Sequence, residues 1–155
     1  MKAGTYLLLL LAPAVPIWGQ VERVAMRTTG ISCGTCAVVS EFHFRRMQGI
    51  DQVHISRSQE AVMLTYKPGA VFSTQAIREV LRPLNVGVVQ FQINARGQVR
   101  QLGGKNFFVA GKDKFLLADN PGVSVPKDTP VIIEGILKDQ VTPMELRILN
   151  FTPAK

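Results

Sequence analysis

The chain has 155 residues, which is enough for one ordinary domain or two small ones. Its 18 lysines and arginines exceed its 11 acidic residues and give a formal charge of +7, but the cations are scattered and do not alternate with aromatic residues. This pattern argues against a nucleic-acid-binding surface, and the sequence contains no Ser-His-Asp set, paired-carboxylate motif or phosphate-binding glycine loop that would indicate an enzyme of those classes.

The first 19 residues have the layout of a secretory signal peptide. Lys2 gives a positive start, and the apolar stretch from Leu7 to Trp18 is broken by two prolines and is shorter than the ~20 residues of a membrane span. We expect cleavage after Gly19, with Ala14 as an alternative site, and a short uncleaved anchor is the competing interpretation. The predicted location is therefore exported, either periplasmic or secreted, with no stable membrane span.

From residue 21 onward the apolar pattern switches between a period of two and a helical period. Gly49 should end the first helix, Ser73 is a suitable N-cap for the second, and Pro83 should end it. In chain order we predict a strand at 24–28, a helix at 37–47, strands at 53–55 and 62–66, a helix at 73–84, and a strand at 86–93 that is terminated by residues 94–97. This β-α-β-β-α-β order is typical of the ferredoxin-like fold, in which two helices pack on one face of a four-stranded antiparallel sheet.

The residues from 98 onward differ from the preceding ones in composition and in the length of their apolar runs. Turn signals rich in Gly, Pro and Asn separate short β-rich runs at 106–109, 114–117, 131–137 and 145–151, and no helix of normal length fits. We expect a small all-β module of the OB or SH3-like barrel kind, which at fewer than 60 residues without disulfides should pack against the first domain. The predicted fold class is thus α+β, with a signal peptide at 1–19, a ferredoxin-like domain at 20–97 and a β-module at 98–155.

Cys33 and Cys36 are the only two cysteines in the chain. They fall between a predicted strand and a predicted helix, so both sulfurs should lie at a helix N-terminus, where free N–H groups and the helix dipole favour thiolates. Such a pair can capture a soft metal ion, exchange disulfides, or form a structural disulfide in an oxidising compartment. With two sulfurs and no nearby carboxylate or imidazole set, the natural metals are the two-coordinate ions Cu(I) and Hg(II), because tetrahedral Zn(II) needs two more ligands.

The run Gly30-Ile31-Ser32-Cys33-Gly34-Thr35-Cys36 resembles the G-M-T-C-x-x-C metal loop of heavy-metal-associated domains, found in copper chaperones, copper-transporting ATPases and the periplasmic mercury carrier. Gly49-Ile50, the run 61–66 and the predicted second helix also match that family, so the resemblance covers about residues 22–93. It implies that Cys33 and Cys36 are the metal ligands, with Cu(I) preferred and Hg(II) or Zn(II) as alternatives. It also implies a metal transporter or acceptor protein as partner.

The sequence departs from the family near the loop. Ile31 stands in place of the usual Met, and a lysine that often balances the charge of the thiolate–metal site is absent. Arg82 is the candidate replacement if the end of its helix approaches the sulfurs. Ser32 and Thr35 are candidates to cap the helix, and Thr35 is the better one.

A thioredoxin-like redox enzyme is the competing interpretation. The C-G-T-C run at a helix start and Thr129-Pro130 before a strand support it, whereas the hairpin of the middle strands and the lack of a Trp before Cys33 argue against it. We therefore predict a non-enzymatic protein that holds one soft ion between Cys33 and Cys36 for sequestration or transfer. Residues 20–97 contain nine basic and five acidic side chains, an excess that favours an acidic docking partner and not a nucleic acid.

Overall fold

A computed structural model describes residues 19–155, so the predicted signal peptide lies, except for Gly19, outside the described residues. None of the helices in residues 19–155 has the length and apolar content needed to cross a membrane. The fold is mixed α/β, with two α-helices and a large sheet. The elements are β1 (Gln20–Thr29), α1 (Gly34–Arg46), β2 (Ile50–Ser56), β3 (Ala61–Tyr66), α2 (Thr74–Leu81), a 3₁₀ turn (Arg82–Leu84), β4 (Gly87–Leu102), β5 (Lys105–Ala110), β6 (Asp113–Leu117), β7 (Val131–Lys138) and β8 (Glu145–Pro153).

The two helices occupy the positions that the sequence predicts. Ala37, Ser40 and Phe44 are the buried residues of α1, and their spacing of three and four places them on one stripe of the helix. Helix α2 begins after Ser73, whose side chain accepts a hydrogen bond from the Ala76 N–H at 3.1 Å. This N-cap confirms the predicted start of α2, whereas the α-helix ends at Leu81 and the rest of the predicted span, Arg82–Leu84 with Pro83, is a 3₁₀ turn.

The N-terminal strands lie in the order β2–β3–β1–β4, and each pairs antiparallel with its neighbour. The C-terminal strands continue the same sheet in the order β4–β5–β6–β8–β7, and β7 returns to pair with β4. This second pairing closes a ring of five strands, in which β6 and β8 are parallel and the other pairs are antiparallel. The C-terminal residues therefore form a β-barrel whose strand edges are largely covered.

The prediction that residues 94–97 end the sixth element is wrong. β4 has 16 residues; residues 94–96 pair with both β1 and β7, and Gly97 pairs with β7. Gly97 is required by a close approach and not by a turn, since a Cβ at this position would collide with the carbonyl oxygen of Val109 on β5. The predicted boundary between residues 97 and 98 thus lies inside a continuous strand that belongs to both parts of the molecule.

Helix α2 is tied to the barrel by an ion pair. The Arg78 guanidinium donates two hydrogen bonds to the Asp139 carboxylate, with N–O distances of 2.7 and 2.9 Å. Arg78 also lies 5.0 Å from the centre of the Phe91 ring on β4. The side chain of Asp139 is only 8% exposed, so this bidentate contact is much less screened by solvent than a surface pair.

We predict that Asp139→Asn lowers the free energy of unfolding by about 2 kcal/mol at pH 7, because a charge-assisted pair is lost. Burial alone would raise the pKa of Asp139, but the hydrogen bonds and charge of Arg78 outweigh it and lower the pKa. The stabilisation is therefore present above the unfolded pKa of about 3.9 and is lost as pH falls through the lower folded value. Urea unfolding of both proteins from pH 7 to pH 2 should show the difference shrinking.

The matched control is Glu41→Gln, which breaks the exposed Arg45–Glu41 pair one helical turn apart on α1. It should change the free energy of unfolding by no more than about 0.5 kcal/mol. Equal effects of the two substitutions would contradict a special role for the α2–barrel contact.

The pKa of Asp113, the first residue of β6, is shifted in the opposite direction to that of Asp139. Burial raises the pKa of its carboxyl to about 6. The folded state therefore favours the protonated acid, and the wild-type protein loses stability as pH rises from about 4 to this value. We expect Asp113→Asn to be more stable than the wild type above pH 6 and to have a flatter profile of melting temperature against pH. A variant that is less stable at pH 7.5 would show that the charged carboxylate is needed.

Candidate metal site

The Gly30–Cys36 loop connects the end of β1 to the first turn of α1. Ile31 is completely buried beneath it, so the predicted apolar anchor under the loop is present. Gly30 has a φ of +93°, and a Cβ there would lie 3.1 Å from the carbonyl oxygen of Asn85. A glycine is needed at this point because the chain must turn sharply against the segment that follows α2.

Cys33 is itself the N-cap of α1. Its Sγ accepts a hydrogen bond from the backbone N–H of Cys36 at 3.2 Å, so the prediction of Thr35 as the cap is wrong. Thr35 instead lies exposed within the first turn. Both cysteines are free thiols, with Cys33 exposed and Cys36 half-buried. The structure therefore brings the two predicted ligands together at the N-terminus of a 13-residue helix.

The turn between β2 and β3 holds the loop from the side. Arg57 Nε donates to the Ser32 carbonyl oxygen at 3.0 Å, and Glu60 Oε1 accepts from the Gly30 N–H at 3.0 Å. The backbone carbonyl of Glu60 also accepts two bonds from Thr28, from its N–H and its hydroxyl, each at 2.8 Å. Backbone groups of the loop thus have partners in a neighbouring hairpin, which fixes the position of the cysteines.

Sequence reasoning missed this contact. Arg57 and Glu60 carry no sequence pattern that marks them as loop contacts, and Arg82 is the basic neighbour that the sequence predicts. In the structure Arg82 lines a cavity of about 400 Å³ with Thr29 and Asn85, and Arg57 is the arginine whose side chain contacts the loop. The only available signal was the register of the predicted hairpin, which brings its turn level with the end of the preceding strand.

The two thiols have unequal acidities. Hydrogen bonds from Cys36 to the sulfur, a further one from the Thr35 backbone and the charge of Arg57 lower the pKa of Cys33. The hydrogen bond to Cys33, burial and the charge of Cys33 raise the pKa of Cys36. Cys33 is therefore the more acidic and more accessible thiol, and full deprotonation of the pair requires a cation that compensates the second negative charge.

The other predicted residues lie apart from the loop. His43 and His54 are exposed, and no group of three or more His, Cys, Asp or Glu side chains in residues 19–155 is arranged as a metal site. Pro130 precedes β7, and its neighbour Val131 pairs with Gly97. The start of β4 at Gly87 pairs with Thr29 beside the loop, so the proline is about 30 Å away along the strand and does not face the cysteines.

The loop offers two ligands, the thiols of Cys33, the N-cap of α1, and of Cys36 in its first turn. Thiolate is the preferred ligand of soft ions, and two such ligands complete the coordination of a linear Cu(I) or Hg(II) complex. The residues present therefore fit a two-coordinate soft ion. They do not by themselves complete a tetrahedral Zn(II) site, which takes four ligands.

No protein-family model matches the sequence, and no curated protein matches it. Among solved structures the chain is similar to the yeast copper transporter domain Ccc2a, determined in solution in its apo and Cu(I)-loaded states. The two chains share 17% sequence identity, the match covers 45% of this chain and 97% of that domain, and the TM-score is 0.38.

We predict that Cys33 reacts before Cys36 with a limiting amount of iodoacetamide at pH 7, because its thiol is more exposed and has the lower pKa. Peptide mass spectrometry of the reduced protein would locate the label. The unfolded protein in urea is the control, and the preference should disappear there. Preferential labelling of Cys36 in the folded protein would contradict this order of thiol acidity and exposure.

Proposed function

We propose that this is an exported, non-enzymatic protein that binds one soft metal ion, Cu(I) in preference to Hg(II) or Zn(II), between the thiolates of Cys33 and Cys36. The observation that carries the proposal is the pair of free thiols at the N-terminus of α1, on a loop whose backbone is hydrogen-bonded on its flank. The ion is cargo, held for sequestration or transfer to a metal transporter or acceptor protein.

The topology supports assigning the two parts to known folds. The order β2–β3–β1–β4, with α1 and α2 inserted as in a split βαβ arrangement, favours a ferredoxin-like domain of the heavy-metal-associated kind for the N-terminal part. The closed ring β4–β5–β6–β8–β7 favours an OB-like barrel for the C-terminal part, since that fold is a five-stranded Greek-key barrel. The two share β4 and act as one body.

Transfer would proceed by ligand exchange. A thiolate or thioether of the acceptor attacks the exposed ion, a three-coordinate intermediate forms, and the sulfurs of this protein leave in turn. No bond of a substrate is made or broken beyond those to the metal, so no catalytic group is required. The exposed position of Cys33 gives the incoming ligand access to the ion.

The exposed face of α1 is a suitable docking surface beside the site. Val38 and Phe42 are 68% and 53% exposed one helical turn apart, and Arg46 lies 4.6 Å from the centre of the Phe42 ring. Arg45 and Arg46 add positive charge at the end of the helix. An acceptor with an apolar contact patch flanked by carboxylates would complement this face, as the basic excess of the N-terminal part predicts.

The test is an anaerobic Cu(I) titration of the reduced protein against a competing chelator. The wild type should bind one ion tightly, and the Cys33→Ser/Cys36→Ser variant should lose this binding, because both ligands are removed. A His43→Ala/His54→Ala variant is the matched control and should bind like the wild type. Weak binding, or binding that survives loss of the cysteines, would rule the proposal out.

Thiol–disulfide exchange is the second candidate, and the unequal acidity of the two thiols favours it. In that case Cys33 attacks a client disulfide and Cys36 resolves the mixed disulfide, so the CxxC pair is oxidised as the client is reduced. Catalytic reduction of insulin with turnover would support this function. A metal-binding protein should show no turnover, and a structural disulfide would show neither turnover nor metal uptake.

A further inference from the structure

We infer that Arg57 makes the site selective for monovalent soft ions over divalent ones, an inference that rests on the metal-binding function proposed above. Its guanidinium lies against the loop that carries both cysteines. A fixed cation close to the site stabilises a metal complex that carries a net negative charge.

The contact between Arg57 and the loop joins two separate elements of the chain. Arg57 reaches from the β2–β3 turn, and its Nε donates to the carbonyl oxygen of Ser32, the residue before Cys33, at 3.0 Å. A Cβ built on Gly34 would lie 3.4 Å from one terminal nitrogen of Arg57 and 3.6 Å from the other. The guanidinium therefore lies beside the backbone between the two cysteines, at van der Waals distance from a Cβ at position 34.

The consequence follows from the charges of the possible complexes. Two thiolates with Cu(I) or Ag(I) make a complex of net charge −1, whereas two thiolates with Hg(II) make a neutral one. A guanidinium stays protonated at any physiological pH, so its charge stabilises the first complex and leaves the second almost unchanged.

The neighbouring charges do not duplicate this role. The Glu60 carboxylate is hydrogen-bonded to the Gly30 N–H, three residues before the first cysteine. Arg82 lines the cavity beside Asn85 on the other flank of the loop, and Arg78 is bound to Asp139. Arg57 is thus the cation in contact with the segment between the two sulfurs.

A purely structural role for Arg57 is the alternative, since its bond to Ser32 also holds the loop. The two roles differ in what they do to ions of different charge. Loss of loop positioning should weaken Cu(I), Ag(I) and Hg(II) alike, because all three use the same two sulfurs. Loss of charge should weaken only the monovalent ions.

The experiment measures Cu(I), Ag(I) and Hg(II) affinities at pH 7 by competition with a dithiol, for the wild type, Arg57→Gln and Arg57→Lys. We expect Arg57→Gln to lower Cu(I) and Ag(I) affinity about fivefold and Hg(II) affinity less than about twofold, the size of one partly screened charge interaction. Arg57→Lys should keep the wild-type ratio of Cu(I) to Hg(II) affinity because it keeps the charge. Arg23→Gln, an exposed arginine on β1 away from the loop, is the matched control and should change none of the three.

A second measurement needs no variant. In the wild type, raising the salt concentration from 0.05 to about 1 M should lower the ratio of Cu(I) to Hg(II) affinity, because the attraction between an exposed cation and an anionic complex is screened. A uniform loss for all ions in Arg57→Gln, or a ratio that does not respond to either change, would overturn the inference and leave the proposed function intact. Failure of the wild type to bind any of the ions would overturn the proposed function itself.

Discussion

The 16-residue strand β4 is the constraint on which the rest of the structure depends. Residues 87–96 of this strand pair with β1, residues 91–97 pair with β7 on the other edge, and its last five residues pair with β5. One strand therefore belongs at once to the helix-covered sheet and to the barrel. Because backbone hydrogen bonds along β4 cross the junction, the two parts cannot separate without breaking a ladder, and the Arg78–Asp139 pair closes the same junction from the helix side.

The position of the cysteine loop follows from that frame. β1 pairs with β4 from Gln20 to Thr29 and with β3 from Arg23 to Arg27, so the point at which it ends is fixed. From this point Ile31 anchors the loop into the core, Glu60 and Arg57 bind its backbone from one flank, and Asn85 limits it from the other. A metal site gains affinity when its ligands are already in place, because little conformational entropy remains to be lost on binding. The exposed CxxC loop is thus carried on a rigid support.

Much of this arrangement can be read from the sequence, and the reasons are local. The period-two and helical runs identify β1 to β3 and both helices, Ser73 identifies the start of α2, and the Gly30–Cys36 run identifies the ligands that we propose. The continuation of β4 beyond Ile93 was not predictable in this way. Asn94 and Gly97 are turn-type residues, and they are tolerated within a strand because two neighbouring strands and a close approach to Val109 override their local preference.

The contact between Arg57 and the cysteine loop could not be predicted from the sequence because it also depends on tertiary structure. Arg57 lies 24 residues after Cys33 and acts on the loop only because the pairing of β2 with β3 brings their turn beside the end of β1. An exposed arginine in a turn has no distinctive pattern, so its role appears only when its hydrogen-bond partner is known. The ligands of a two-coordinate site are visible as a motif, but the charges that tune it come from tertiary structure.

The asymmetry of the two thiols bears on how cargo would move. Cys33 is exposed and carries the N-cap hydrogen bond, whereas Cys36 is half-buried within the first turn of α1. An acceptor approaching from solvent would meet a bound ion on the Cys33 side, and the Cys33 sulfur, once released, would be stabilised as a thiolate by the Cys36 N–H and by Arg57. The better leaving thiolate is the one of lower pKa. In the proposed exchange Cys33 therefore leaves first, and Cys36 holds the ion until the acceptor has supplied its second ligand.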